Sequence, residues 1–357
     1  MPNSDWKRTV RQLGLGAESA IDRLKTNLDR FFGGDAPITI QVYQAFGTAQ
    51  SVRVFGRVLK CQPVSTAEVK TMWTNLHAAY RRFETDEIPH IPVRLSAGTL
   101  EVFSTTDEEG YFLFELDAAQ IMEGVEMVQL SATAGEIKAS VDAQIELISS
   151  QATFGIVSDI DDTIVITQAT SLRRMIQLTL LESARTRVAF SGVSDFYKRL
   201  QGECNPFFYV SSSPWNLYQF LIDFMNLNKI PTGAMFLRDF GLDQDKFMAG
   251  THKMHKVGAI EQILDLTGEL PLVLVGDSGQ RDPEVYADIA RRYPKRIRSV
   301  YIRDVTGANR DRNIQILIDE LHLLGIDMLL VPDTRAAVVH ASANGLIEED
   351  ESNSLTT

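Results

Sequence analysis

Three aspartates, Asp159, Asp161 and Asp162, stand within four residues of one another directly after the apolar run 154–157. A short, β-branched apolar run is typical of a central strand in a parallel sheet that is covered on both faces. Carboxylates this close destabilise a folded chain unless a cation or a substrate compensates their charge. Carboxylate oxygens are hard ligands, and no Cys or His stands among the three aspartates. The pattern therefore favours Mg²⁺ over a transition metal such as Zn²⁺. The alternatives are an acidic turn after a strand and an isolated Ca²⁺ loop.

The elements that would position these carboxylates alternate as strand and helix beyond residue 150. This alternation predicts an α/β domain with a doubly wound parallel sheet. Ser211, Ser212 and Ser213 end a second apolar run, and Ser213 with Pro214 is a predicted N-cap and first turn for a helix over 215–226. The N-terminus of such a helix offers N–H groups and partial positive charge to an anion.

The spacing Asp-x-Asp-x-Thr at Asp159, Asp161 and Thr163 resembles the first motif of the haloacid dehalogenase superfamily of phosphohydrolases. The resemblance implies that Asp159 attacks phosphorus and carries an aspartyl-phosphate, which is covalent catalysis. It implies that Asp161 protonates the leaving oxygen and later activates water. Asp277 and Asp282, on the loop after a further apolar strand, match the fourth motif, which holds Mg²⁺ together with the first.

The superfamily's second and third motifs imply the groups that contact phosphate. Ser211 would donate a hydrogen bond to a phosphate oxygen, and Ser212 and Thr163 would also face the substrate. A lysine would neutralise the attacking carboxylate and the phosphoryl group. Lys256 is the first choice, because it is predicted to open a helix that ends at Gly268, and Lys253 is the alternative.

A predicted helix over 170–186 follows the first motif, and arginines including Arg187 accompany it. The superfamily places a flap or cap over the active site at this point. The resemblance therefore implies that Arg187 contacts a substrate phosphate or an anionic surface. A solvated helix face is the alternative.

Five segments are similar to the catalytic domain of the actin-patch-protein type of phosphatidate phosphatase: 158–164, 209–218, 237–241, 276–286 and 301–305. The resemblance implies Mg²⁺-dependent conversion of phosphatidate to diacylglycerol and phosphate. Eukaryotic members of this family carry long disordered, proline-rich regions, and actin-related partners do not carry over to this chain. The alternatives are a phosphatase for a soluble ester or a phosphoprotein, and an idle scaffold that binds a membrane or a protein.

The first half of the chain contains none of these motifs. Residues 1–34 form a predicted amphipathic helix, which would lie on a membrane or pack on protein. Short alternating strands over 35–150 predict a β-sandwich-like accessory domain, with a hairpin turn at 106–110 and a helical insertion at 65–83. The catalytic domain is predicted over 151–335 and a disordered acidic tail over 336–357.

The composition limits the classes of partner. A net charge of −12 opposes binding to nucleic acid, and no window of the sequence is apolar enough for a transmembrane span. The two cysteines, Cys61 and Cys204, fall in different predicted domains, which favours a reducing cytosol over a disulfide framework. We expect a cytoplasmic protein that meets a lipid phosphate at a membrane surface. The sequence does not indicate an oligomeric state.

Overall fold

The structure, a computed structural model, describes residues 37–48, 50–60, 88–117, 127–160, 192–238, 250–306 and 308–348. The described residues form two units. The first contains the residues up to 146 apart from 46–51, and the second contains 46–51 and the residues from 147 onwards. The predicted helices over 1–34, 65–83 and 170–186 lie outside the described residues.

The first unit consists of strands in two four-stranded sheets with the orders β5-β2-β1-β8 and β4-β3-β6-β7. The strands are β1 (Ile38–Gly47), β2 (Ser51–Lys60), β3 (Pro92–Ala97), β4 (Leu100–Thr105), β5 (Tyr111–Asp117), β6 (Met127–Ala134), β7 (Ile137–Gln144) and β8 (Glu146–Leu147). Neighbouring strands of the second sheet are antiparallel. Both sheets contribute to one hydrophobic core, which includes Val54 of β2 and Leu95 of β3. The short strands predicted for this half are therefore confirmed, and those of the second sheet pair antiparallel.

The turn predicted at 106–110 does not close a hairpin, because β4 and β5 belong to different sheets. The Thr106 hydroxyl is buried, accepts the Ile91 N–H at 3.0 Å and donates to the Ile88 carbonyl at 2.9 Å. The Asp107 carboxylate accepts the Tyr111 N–H at 2.9 Å. These side-chain bonds turn the chain from one sheet to the other.

The second unit is built on a six-stranded sheet with the order β11-β10-β9-β12-β13-β14. All neighbouring pairs are parallel, which confirms the predicted α/β class. The strands are β9 (Gly155–Asp159), β10 (Phe207–Pro214), β11 (Ala234–Arg238), β12 (Leu272–Asp277), β13 (Ile297–Arg303) and β14 (Asp327–Val331). The described α-helices are α1 (Val193–Gln201), α2 (Tyr218–Leu227), α3 (Gly250–Leu266), α4 (Asp282–Arg292), α5 (Ala308–Leu323) and α6 (Thr334–Ala343).

Helices cover both faces of this sheet, as two consecutive residues of β13 show, because their side chains point to opposite faces. Val300 shares a hydrophobic core with Ile260 of α3, whereas the Tyr301 ring contacts Phe196 of α1 and His340 of α6. The strand order reverses between β9 and β12, because β10 and β11 extend the sheet on one side and β12 to β14 extend it on the other. Loops diverge at such a switch point, and the crevice outside the carboxyl ends of the strands is where open α/β sheets bind ligands.

Ser213 is not a helix N-cap, contrary to the prediction. Strand β10 continues to Pro214, which pairs with Arg238 of β11, and a 3₁₀ turn over Trp215–Leu217 precedes α2. The Ser213 N–H donates to the Ser211 hydroxyl at 2.9 Å. The serine therefore extends the strand instead of starting the helix.

Two further boundaries differ from the prediction. Helix α3 begins at Gly250, six residues before Lys256, although Gly268 with φ +56° does follow its end. Residues 336–343 of helix α6 lie in the segment predicted as a disordered tail. It forms because the Asp333 carboxylate accepts the Ala336 N–H at 3.0 Å and because Ala341, on its inner face, is buried.

Arg296, the residue directly before β13, binds the end of α3 and the loop between α3 and β12. Its Nη2 donates to the Leu264 carbonyl and the Thr267 hydroxyl at 3.1 Å and to the Leu270 carbonyl at 3.0 Å. We expect Arg296→Met to lower the free energy of unfolding by about 1–2 kcal/mol, because several acceptors lose a charged donor. Urea denaturation measures this loss.

Arg292→Met is the matched control for this prediction. Arg292 forms ion pairs with Glu261 and Asp288 and its side chain is 37% exposed. Exposed pairs contribute at most about 1 kcal/mol. Equal losses in the two variants would contradict the role of the Arg296 contacts.

Candidate active site

Three buried carboxylates meet at the switch point of the parallel sheet. Asp159 is the last residue of β9, Asp277 is the last residue of β12, and Asp282 is the first residue of α4. Ser158 and Val275 are paired in register, so β9 and β12 end side by side. All three carboxylates are 0% exposed, and one oxygen from each lies within 4.8 Å of the others.

Lys256 of α3 is buried among these carboxylates. Its Nζ donates to Asp159 Oδ1 at 2.8 Å and to Asp282 Oδ1 at 2.5 Å, and it lies 3.4 Å from Gln280 Oε1. Burial alone would lower the pKa of Lys256, but Asp159 and then Asp282 raise it above its ordinary value. The lysine is therefore a permanent ammonium ion at neutral pH.

Only one of the two carboxylate oxygens of Asp277 accepts hydrogen bonds from the described residues. Its Oδ1 accepts the Gly279 N–H at 2.6 Å and the Gln280 N–H at 2.9 Å. Its Oδ2 is buried and has no hydrogen-bond partner among the described residues. Burial, followed by the charge of Asp282, raises the pKa of Asp277 to about 7, although Lys256 and the two N–H groups lower it. This oxygen needs a proton or a cation.

The charge balance of the cluster fits a divalent cation. Three carboxylates and one ammonium leave two uncompensated negative charges. The oxygen ligands are of the hard kind that Mg²⁺ binds, and no Cys or His belongs to the cluster in the described part of the chain. Asp159, Asp277 and Asp282 therefore fit the predicted Mg²⁺.

Gly276 makes this close arrangement possible. A Cβ at this position would lie 2.6 Å from Asp282 Oδ2 and 2.7 Å from Tyr286 Cε2. Any larger residue would push α4, and with it Asp282, away from the end of β12. Gly276 was not among the predicted site residues, although its position directly before Asp277 is a usable signal.

Ser211 lies on the strand beside Asp159. It follows Val210, which is paired with Asp159 in register, and it is 0% exposed. The Ser211 carbonyl lies 3.3 Å from Nε2 of His255, the residue before Lys256. Ser212 is partly exposed at the same edge. The two serines thus lie near the carboxyl end of β10, at the same end of the sheet as the carboxylates.

Four of the predicted site residues cannot be placed. Asp161, Thr163 and Arg187 lie outside the described residues, as does the side chain of Lys253. The assignments of these residues stay predictions.

Two buried serines, Ser158 and Ser278, support the site through contacts that were not predicted. The Ser158 hydroxyl donates to the Asp159 carbonyl at 2.7 Å and lies 2.7 Å from the Tyr197 hydroxyl of α1. The Ser278 hydroxyl accepts the Val305 N–H at 2.9 Å, which joins the loop after β12 to the loop after β13. These contacts fix the backbones that carry Asp159 and Asp277. Hydroxyl contacts between distant segments leave no local sequence signal.

The arrangement places three buried carboxylates and a fixed ammonium together at the carboxyl end of the parallel sheet. Preorganised positive charge of this kind stabilises a phosphoryl group during transfer. The described helices include none that is long and apolar enough to cross a membrane.

Solved structures give only weak likenesses. A haloacid dehalogenase family hydrolase from Deinococcus radiodurans R1, with bound phosphate and sodium, is 12% identical, covers 56% of this chain and 100% of its own, and has a TM-score of 0.35. A bacterial immunoglobulin-like domain from the M. primoryensis ice-binding adhesin is 10% identical, covers 31% of this chain and 96% of its own, and has a TM-score of 0.21. Neither likeness is close enough to bear on the fold or the function.

Sequence relatives give a stronger result. Phosphatidate phosphatase APP1 of Saccharomyces cerevisiae is 27% identical over 246 residues, which are 66% of this chain and 42% of that protein. An uncharacterized protein of Schizosaccharomyces pombe is 28% identical over 208 residues, which are 56% of this chain and 34% of that protein. The chain thus spans less than half the length of these relatives.

The family match falls on the segment that carries the site. Residues 154–304 match the family described as "Phosphatidate phosphatase APP1, catalytic domain". The matched segment begins at β9 and contains Asp159, Lys256, Asp277 and Asp282. The comparisons therefore confirm the predicted resemblance of residues 154–304 to the phosphatidate phosphatase APP1 catalytic-domain family.

Proposed function

We propose that this protein is a Mg²⁺-dependent phosphatidate phosphatase with a haloacid dehalogenase-like, doubly wound catalytic unit. The supporting observation is the Lys256 ammonium buried between Asp159 and Asp282, next to Asp277, inside the segment that matches the family. The substrate is suggested by the name of a relative that is longer than this chain. The products would be diacylglycerol and inorganic phosphate.

Asp159 is the proposed nucleophile. Its position at the end of β9, with Oδ1 held by Lys256, fixes the carboxylate without neutralising it through a proton. In the first step a bond forms between Asp159 and phosphorus, the ester P–O bond breaks, and Asp161 gives its proton to the leaving alkoxide oxygen. In the second step water attacks the aspartyl-phosphate, Asp161 takes a proton from that water, and orthophosphate leaves Asp159.

The other groups would bind charge. The Lys256 ammonium offsets the charge of Asp159 and of the phosphoryl oxygens, which favours the approach of two anions. Ser211, Ser212, Thr163, Lys253 and Arg187 are the proposed phosphate contacts, and Asp159, Asp161, Asp277 and Asp282 would hold Mg²⁺. When bound, Mg²⁺ supplies positive charge to the phosphoryl oxygens.

Phosphate release from a panel of monoesters tests the function. The panel contains phosphatidate in vesicles, a short-chain phosphatidate, glycerol phosphate, an aryl phosphate and a phosphopeptide, each with and without Mg²⁺. Mg²⁺-dependent release that is fastest from phosphatidate supports the proposal. Release from the soluble esters alone would support the alternative phosphatase, and no release from any ester would support an idle scaffold.

Removal of the metal should lower both activity and stability. We expect a chelator to abolish activity and Mg²⁺ at about a hundred times its Kd to stabilise the native state by about 2.7 kcal/mol. This corresponds to a rise in Tm of about 5–10 °C for a unit of this size. Asp277→Asn should raise the Tm of the metal-free protein, because it removes repulsion, and should lose most of the Mg²⁺-induced rise.

Asp265→Asn is the control, because Asp265 is an exposed carboxylate on α3 outside the cluster. It should keep the whole Mg²⁺-induced rise. A rise in Tm that Asp277→Asn leaves intact would show that Mg²⁺ binds elsewhere.

A further inference from the structure

The ammonium of Lys256 has three hydrogen-bond donors and no acceptor. Among the described residues, three side-chain oxygens lie around it: Asp159 Oδ1 at 2.8 Å, Asp282 Oδ1 at 2.5 Å and Gln280 Oε1 at 3.4 Å. Because the ammonium can only donate, the amide of Gln280 must turn its oxygen, not its nitrogen, towards Lys256. Two of the three partners are thus anions, and the third is neutral.

The contact with Gln280 is the weakest of the three. It is the longest, and a neutral acceptor binds an ammonium less strongly than a carboxylate does. It is also the accessible one, because Gln280 is partly exposed whereas Asp159 and Asp282 are 0% exposed. An anion that enters from solvent would therefore reach the ammonium on the side of Gln280.

The backbone of Gln280 is fixed independently of its side chain. Its N–H donates to Asp277 Oδ1 at 2.9 Å, on the loop between β12 and α4. Rotation of the Gln280 side chain would therefore break its contact with Lys256 without removing the hydrogen bond between the loop and Asp277.

We infer that Gln280 is a positioning residue for Lys256. Its amide oxygen occupies the third ammonium donor while no phosphate is bound and yields that donor to a phosphoryl oxygen of the phosphate monoester. This inference rests on the proposed function. A neutral residue suits the role, because a carboxylate at this position would be a third anionic partner of Lys256 and would repel a phosphate dianion.

Two near-isosteric variants separate charge from bulk. We expect Gln280→Glu to weaken orthophosphate binding and to raise KM for the aryl phosphate, both by at least about 10-fold, because like charges repel. Gln280→Met keeps the length of the side chain but removes the amide oxygen that competes with phosphate for the third ammonium donor, so it should tighten orthophosphate binding and lower KM, both by about threefold or more. Calorimetric titration of the full chain with orthophosphate, in the presence of Mg²⁺, measures the Kd directly.

Arg281→Gln is the matched control. Arg281 is exposed on the same loop, and its replacement changes the local charge by the same amount as Gln280→Glu. This variant should weaken orthophosphate binding less than about threefold, because solvent screens an exposed charge. Equal weakening by Arg281→Gln and Gln280→Glu would overturn the inference and assign the effect to the general field of the loop.

The remaining outcomes also decide between the inference and the function. If Gln280→Met weakens orthophosphate binding as much as Gln280→Glu does, the amide itself binds phosphate and the inference is wrong. If the wild type binds orthophosphate and both Gln280 variants match it, only the inference fails. A wild type that neither binds orthophosphate nor hydrolyses any monoester would instead refute the proposed function.

Discussion

Asp159→Asn should abolish hydrolysis of every phosphate ester, whatever its leaving group. An amide is too weak a nucleophile to form the phospho-enzyme, and removal of the nucleophile from a hydrolase with a covalent intermediate costs on the order of 10⁶-fold in kcat. The asparagine keeps an oxygen acceptor for Lys256, so the variant should unfold at a temperature close to that of the wild type. Initial rates on the panel of esters, together with thermal unfolding, check both statements.

Asp161→Asn provides the contrast for this prediction. A general acid contributes about 10²–10⁴-fold where the leaving group needs its proton. We therefore expect a large loss on an alkyl phosphate and a small loss on an aryl phosphate, whose phenolate leaves without protonation. The phospho-enzyme should accumulate, because its general base is missing, and should appear in a rapid quench as a mass increase of one phosphoryl group. Equal losses on both esters without a phosphorylated species would show that the two roles are assigned wrongly.

The position of the carboxylates could be predicted because it depends on simple local patterns. Apolar runs of strand length precede Asp159 and Asp277, and parallel strands bring their carboxyl ends to the same edge of a sheet. The strand order then places β9 and β12 next to each other at the switch point. Asp282 was predicted from its resemblance to the fourth motif, and the structure adds that Gly276 leaves room for its close approach to the end of β12.

Contacts decided by tertiary geometry could not be predicted. The sequence left Lys253 and Lys256 as alternatives, and only the path of α3 shows that Lys256 reaches Asp159. The same holds for Gln280, whose polar side chain on a loop has no periodic signal. Strands β4 and β5 have the pattern of a hairpin, but the buried bonds of Thr106 direct them into different sheets. Local sequence predicts the elements better than their partners.

Lys256→Met should reduce both stability and activity strongly. The Lys256 side chain is 6% exposed and its carboxylate partners are 0% exposed, so its removal leaves buried carboxylates without a counter-charge. Breaking a buried pair in this way costs about 3–5 kcal/mol. Urea denaturation in chelator measures this loss, and Mg²⁺ should restore part of it because the cation supplies the missing positive charge. Activity should fall by about 10²–10³-fold, the usual effect of losing one electrostatic contact to the transition state.

A second substitution tests whether the loss of stability is electrostatic. Asp282→Asn added to Lys256→Met removes one of the carboxylates that Lys256 had compensated, while the asparagine oxygen can still accept the Asp277 N–H. The double variant should therefore be more stable than Lys256→Met alone, and the double-mutant cycle should show strong coupling between the two sites. Activity should not recover, because the ammonium is still absent and the proposed Mg²⁺ site has lost one of its ligands. Additive losses of stability would instead mean that Lys256 supports the site through packing of its aliphatic chain, and the charge balance would not explain why this lysine is buried.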